Sequence, residues 1–135
     1  IKNNSINIIK SGRDSNLSTI YNSDFVITKF GTSNLECAFL GVPFLTVYKA
    51  SFLNYLIAKA LVNLEYVSLV NIVMNKIVVK EYIQSDFNIR NITEEVDRVF
   101  SDSIYKNKML DDFHVLKSQF NKEDIDVAEY ICKEL

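Results

Sequence analysis

Gly31, Thr32, Ser33 and Glu36 fall within six residues of "TKFGTSNLECAFLGVPF" (28–44), directly after the apolar run "DFVI". Residues of these types in this order can bind an anion. Gly31 permits a tight turn and close approach of backbone to a ligand. Thr32, Ser33 and Asn34 then offer free backbone N–H groups and short polar side chains where a helix would begin, which is a phosphate seat. Helical spacing puts Thr32 and Glu36 on one side and turns Leu35, Ala38 and Phe39 toward a sheet. From there an ionised Glu36 can accept hydrogen bonds from two neighbouring hydroxyls, such as those of a ribose. The same residues also describe a capped structural helix in which Glu36 offsets the macrodipole, so the local pattern leaves both readings open.

Other catalytic groupings are sparse. The single histidine, His114, lies in "DDFHVL" with no recognisable orienting partner or second ligand, which suits a surface or structural role and excludes a His-rich metal site. Ser18, Ser33 and Ser51 occupy no G-x-S-x-G elbow. Neither G-x-G-x-x-G nor G-x-x-x-x-G-K-[ST] occurs. Cys37 and Cys132 are too far apart for a metal spacing and read as reduced thiols.

The elements that must position the glycine turn follow from hydrophobic periodicity. "INIIK" (6–10), "DFVITKF" (24–30) and "PFLTVYK" (43–49) are short apolar runs suited to strands of a parallel sheet. Helices are predicted between them at 14–22 and 33–41, the latter stopped by Gly41 with Pro43 beyond. The resulting β-α-β-α-β order defines an α/β class, a Rossmann-like parallel sheet with flanking helices. Farther on, 52–62 reads as a buried helix and "YVSLVNIV" (66–73) as a strand entering a loop. Asn91 is the predicted N-cap of the next helix, with Glu94 three residues on, and amphipathic helices follow over 109–120 and 125–135.

The chain has 135 residues, 48% hydrophobic and 24% charged, the size and composition of one domain with a buried core. A formal charge of -2 gives no general electrostatic case for nucleic acid. Charged and amide residues interrupt the most apolar region, 55–74, so no spanning helix is predicted, and no signal peptide is recognisable at the start. No internal repeat or Gly/Ser linker divides the chain. Its start at Ile1, close to a strand, suggests a piece of something longer.

An ordered set of motifs carries a family resemblance. "FGTSNLECAFLGVPFLTVYK", then "FLNYLIAKALVNLEYVSLVNIV" and "KEYIQ", resembles the carboxy-terminal part of lipid-A-disaccharide synthases, two-domain GT-B glycosyltransferases of Gram-negative outer-membrane biosynthesis. The resemblance runs to about Gln84 and fades into generic helices. It implies that residues 1–135 are a partial C-terminal UDP-sugar-binding domain, with the amino-terminal acceptor domain and the general base absent. The implied reaction joins UDP-2,3-diacylglucosamine to 2,3-diacylglucosamine 1-phosphate (lipid X) in an inverting transfer that needs no cofactor or metal. Gly31, Thr32 and Ser33 would meet the diphosphate, Glu36 the ribose, and Asn71 would lie near the donor, with Lys49, Lys76, Glu81 and Gln84 on the cleft rim. No catalytic residue is assigned within the chain.

The resemblance further implies work at the inner face of the cytoplasmic membrane, peripheral to it. Phe52, Leu53 and Leu56 nevertheless read as core rather than as a membrane contact. An oligomer is left open. Competing readings are another GT-B UDP-sugar enzyme, such as a UDP-N-acetylglucosamine epimerase, and a noncatalytic nucleotide-binding or interaction module.

Four residues at three places depart from the family pattern. Phe30 stands where a serine commonly precedes the GT pair, Val70 where a proline precedes Asn71, and Asn75-Lys76 where a glycine-arginine pair is usual. Asn75 can still adopt a left-handed turn, whereas Lys76 lacks the arginine fork.

Overall fold

The computed structural model describes residues 13–49 and 65–121, so the expected strand at 6–10 and the helices at 52–62 and 125–135 lie outside the described residues, as do Ser51 and Cys132. The first described helix, α1 (Arg13–Tyr21), ends where the Asn22 amide and the Ser23 hydroxyl donate to the carbonyls of Ser18 and Thr19. Strand β1 (Val26–Lys29), helix α2 (Ser33–Leu40) and strand β2 (Phe44–Tyr48) follow as the hydrophobic pattern predicts. Gly41 closes α2 in the left-handed region at φ 73°, and the N–H groups of Gly41 and Val42 donate to the carbonyls of Ala38 and Cys37. Pro43 then leads into β2.

Among the described residues β2 is the central strand of a three-stranded parallel sheet of order β1-β2-β3. Four of its five residues are buried, as expected of a strand covered on both faces. Its parallel partner β3 (Glu81–Ile83) comes from "KEYIQ". The expected strand at 66–73 is instead helix α3 (Leu69–Met74), entered through Ser68 in an extended conformation. An apolar run this short has no decisive period. Hydrogen bonds from outside the run decide it, because Glu81 takes the Val67 and Ser68 N–H groups and Asn71 takes the backbone at 78–79. Asn75 ends α3 at φ 49°, adopting the left-handed turn read from its sequence.

Helix α4 (Ile89–Ser101) is capped by Asn88, whose side chain accepts from Asn91 N–H at 3.0 Å, so the predicted cap is displaced by three residues. Glu94 pairs with Arg90 rather than closing a capping box. Helix α5 (Ser103–Asn121) includes the predicted 109–120 helix and starts earlier, because Asp102 accepts from Tyr105 N–H at 2.9 Å. Its buried Met109, Phe113 and Leu116 join Cys37, Ala38, Phe44, Val70, Val79 and Val99 in one core. Phe44 and Phe113 stack there with ring centroids 5.7 Å apart. The buried stripe of α2 is Asn34, Cys37 and Ala38, rotated from the predicted Leu35, Ala38 and Phe39. The edge-on contact of Phe39 with Phe120 at 5.3 Å draws Phe39 toward α5 instead.

One buried residue of α4 is a carboxylic acid. Glu95 is 3% exposed and accepts the Tyr105 hydroxyl at 2.6 Å, while the Arg98 guanidinium lies 3.9 Å from the Tyr105 ring centroid. Burial raises the Glu95 pKa above the ordinary carboxylate value, against the lowering effects of the Tyr105 bond and of Lys80 and Arg98. The native state therefore holds this proton to higher pH than the unfolded chain does. Stability is lost as pH rises through that window and the loss is constant above it. Glu95→Gln keeps an acceptor for Tyr105 and removes the titration. The unfolding free energy of the variant relative to wild type should grow from about pH 4 upward and then level off, as measured by urea denaturation across pH.

Candidate functional site

Among the described residues β1, β2 and β3 end at the same edge of the sheet. Lys29 pairs with Val47, and Tyr48 pairs with Ile83, so the residues that follow emerge side by side: Phe30 and Gly31 after β1, Lys49 after β2, Gln84 after β3. The carboxyl ends of parallel strands form the crevice where α/β sheets take ligands. Gly31 makes the turn into α2 at φ 141°, in the region that favours glycine, and a Cβ there would meet nothing within 4 Å. The demand on this position is conformational rather than spatial.

Among the described residues the N–H groups of Thr32 and Ser33 have no acceptor, whereas Asn34, Leu35 and Glu36 N–H groups close back on Gly31 and Thr32 carbonyls. The Ser33 hydroxyl is 2.7 Å from that of Thr28, which fixes it against β1. Asn34 departs from the sequence reading. Its side chain turns inward, fully buried, and donates to the Lys29 carbonyl at 3.0 Å, tying the start of α2 to the end of β1. Thr32 is exposed and Glu36 half-buried, opposite the buried stripe and one turn apart. Neither the Glu36 carboxylate nor the Lys49 ammonium has a hydrogen bond or ion pair among the described residues. Gln84 holds a left-handed backbone at φ 54°, a conformation that costs a non-glycine residue energy and aims the chain away from β3.

The other predicted site residues lie elsewhere. Asn71 is fully buried with its amide fully used, Nδ2 donating to the Val79 carbonyl and to Glu81, and Oδ1 accepting from Val78 and Val79 N–H. Glu81 accepts from Val67, Ser68 and Asn71 at 2.8 to 3.1 Å. These two residues hold the backbone and leave Asn71 no donor for a ligand in this arrangement. Lys76 stands in the turn before β3, away from the strand ends, and its ammonium pairs with Asp112 of α5 at 2.6 Å. A separate cleft of about 390 Å³ runs along β3, lined by Tyr66, Asn71, Lys80, Glu81 and Tyr82 among others, and includes none of residues 31–36.

Cys37 is fully buried, and its thiol is pushed up to about 12, first by burial and then by the Glu36 charge, so it is a core group and no nucleophile. Among the described residues no three His, Cys, Asp or Glu side chains converge as metal ligands, and no helix is long and apolar enough to cross a membrane.

A parallel sheet flanked by helices, with a glycine turn feeding a helix N-terminus at the strand ends, defines a Rossmann-like α/β unit. The chain belongs to the lipid-A-disaccharide synthetase family, which matches it over residues 2–135. Lipid-A-disaccharide synthase 1 of Legionella pneumophila (strain Paris) is 33% identical over 106 residues, 78% of this chain and 28% of that protein. Lipid-A-disaccharide synthase of Acinetobacter baylyi is 36% identical over 104 residues, 76% and 26% of the two chains. That of Geobacter sulfurreducens is 39% identical over 85 residues, 63% and 22%. The chain thus spans about a quarter of the length of the curated relatives it matches.

Removing the Asn71 amide strands two buried N–H groups and a carbonyl and takes one donor from Glu81. Asn71→Ala should lower the unfolding free energy by roughly 3 kcal/mol or more, measured by urea denaturation.

Proposed function

We propose that the chain is the donor-nucleotide part of a lipid-A-disaccharide synthase, residues 1–135 being a partial C-terminal UDP-sugar-binding domain of a GT-B glycosyltransferase. In this reading the full-length enzyme transfers 2,3-diacylglucosamine from UDP-2,3-diacylglucosamine to 2,3-diacylglucosamine 1-phosphate. It forms the β-1,6-linked disaccharide with inversion and releases UDP. The UDP-sugar is a substrate, and neither a cofactor nor a metal is invoked. Both substrates carry acyl chains, so the enzyme works at the inner face of the cytoplasmic membrane, peripheral to it.

The observation that supports this reading is the shared strand edge at which the Gly31 turn, the open N–H groups of Thr32 and Ser33, Lys49 and Gln84 gather. A diphosphate is well suited to it: backbone donors and the helix dipole meet its charge, with a lysine alongside. Glu36, one turn along α2, is free to accept both ribose hydroxyls. Asn71 and Glu81 act through the backbone, setting where β3 ends and hence where Gln84 stands.

The test is an NMR titration of the chain with UDP. Resonances of residues 31 to 36 should shift, and Glu36→Ala should weaken binding by about tenfold, the loss of charge-assisted hydrogen bonds. Unmoved resonances at 31 to 36 would overturn the nucleotide assignment. Because transfer needs donor and acceptor held across an interdomain cleft, the 135-residue chain alone should release no UDP when given both substrates; measurable turnover would refute this division of labour.

A further inference from the structure

Phe30 is the last residue before the Gly31 turn, and 49% of its surface is exposed. Its ring meets that of Tyr48, the last residue of β2, edge to face at 86° with centroids 4.6 Å apart. The two rings therefore bridge the ends of neighbouring strands on the same edge that carries Gly31, Lys49 and Gln84. An exposed phenyl ring contributes nothing to holding a diphosphate, since it has no donor and the face of its π-system is electronegative.

The direction of a bound nucleotide follows from the two ends of this edge. Thr32 and Glu36 share the outward side of α2, one turn apart, so phosphates seated on the Thr32 and Ser33 N–H groups with a ribose at Glu36 lie along the helix. The opposite end of the diphosphate points back across the end of β1, toward Phe30 and Tyr48. In that orientation a group on the outer phosphate would lie beside these rings. A pyranose suits such a surface: its C–H face is apolar and weakly positive, and it packs on an aromatic ring by dispersion and quadrupole attraction.

We propose that Phe30, supported by Tyr48, is the donor-sugar specificity residue of this chain, its ring packing on the glycosyl group beyond the diphosphate. The inference rests on the nucleotide reading above, and its test separates the two.

The 135-residue chain and its Phe30→Ala and Phe30→Leu variants are titrated with UDP and with UDP-N-acetylglucosamine, with thermal unfolding followed in parallel. Phe30→Ala should lose about three- to tenfold in affinity for the UDP-sugar while its affinity for UDP changes less than twofold. Phe30→Leu, which keeps apolar bulk and secures the fold, should lose a smaller part of the same preference. Equal losses for both ligands would overturn the proposal, because the ring would then be shaping the turn or touching the nucleotide. A lowered melting temperature in either variant with both affinities intact would also overturn it, reducing Phe30 to a cover for Tyr48. Failure of the wild-type chain to bind UDP would remove the nucleotide reading and this inference with it. UDP binding with no Phe30 dependence for the sugar would leave the nucleotide reading standing and sink the inference alone.

Discussion

The Glu81 carboxylate gathers the N–H groups of Val67 and Ser68 and the amide of Asn71, and Asn71 in turn binds the backbone of Val78 and Val79. Three separate stretches of chain meet in this one network: the entry to α3, the body of α3, and the approach to β3. β3 has only three residues, too few for its own ladder to fix a register firmly. The network supplies what the ladder lacks. It sets Glu81 opposite Thr46 and so Ile83 opposite Tyr48, which brings Gln84 out beside Lys49. The geometry of the strand edge is thus decided by two polar residues, Asn71 buried and Glu81 partly so, that do not themselves reach it. Charge-assisted bonds to backbone N–H groups suit this role, because a displaced carboxylate would leave buried donors with no substitute partner.

The α2 end of the site is organised on the same logic by different residues. Asn34 ties the start of α2 to the Lys29 carbonyl, and Ser33 is held against Thr28. With these two side chains turned to the scaffold, Thr32, Glu36 and the leading N–H groups of α2 are what faces outward. Short polar residues at a helix N-terminus divide here into those that fasten the helix and those that remain available, and composition alone does not distinguish them.

That division also marks what the sequence could and could not reveal. β1, α2, β2 and the Gly41 stop were legible because their signals are local: apolar runs, a glycine, a proline. The parallel order and the glycine turn followed from these. The run that forms α3 has the pattern of a strand, and "KEYIQ" carries no strand signal of its own, because both elements depend on side chains ten or more residues away. Asn88 rather than Asn91 caps α4: Asn88 accepts from Asn91 N–H, while the Asn91 amide donates to the Asp86 carbonyl. Lys76, in the turn after α3, takes as partner Asp112, 36 positions on in α5. No periodicity encodes such a pairing.

The departures at Asn75, Lys76 and Phe30 become intelligible when each is followed to its contacts. Asn75 adopts the left-handed backbone that ends α3, so the turn survives without a glycine. Lys76 turns to Asp112 in a partly exposed ion pair, an arrangement worth little in stability and one that asks for no arginine fork. Neither change alters the strand edge. Phe30 is different, because it stands on that edge and keeps half its surface open while its ring engages Tyr48. A hydroxyl there could share a hydrogen bond with a phosphate; a phenyl ring exchanges that polar contact for an apolar one one residue from the Gly31 turn. Asn75 and Lys76 are thus taken up by the scaffold, whereas Phe30 puts a half-open apolar ring on the strand edge.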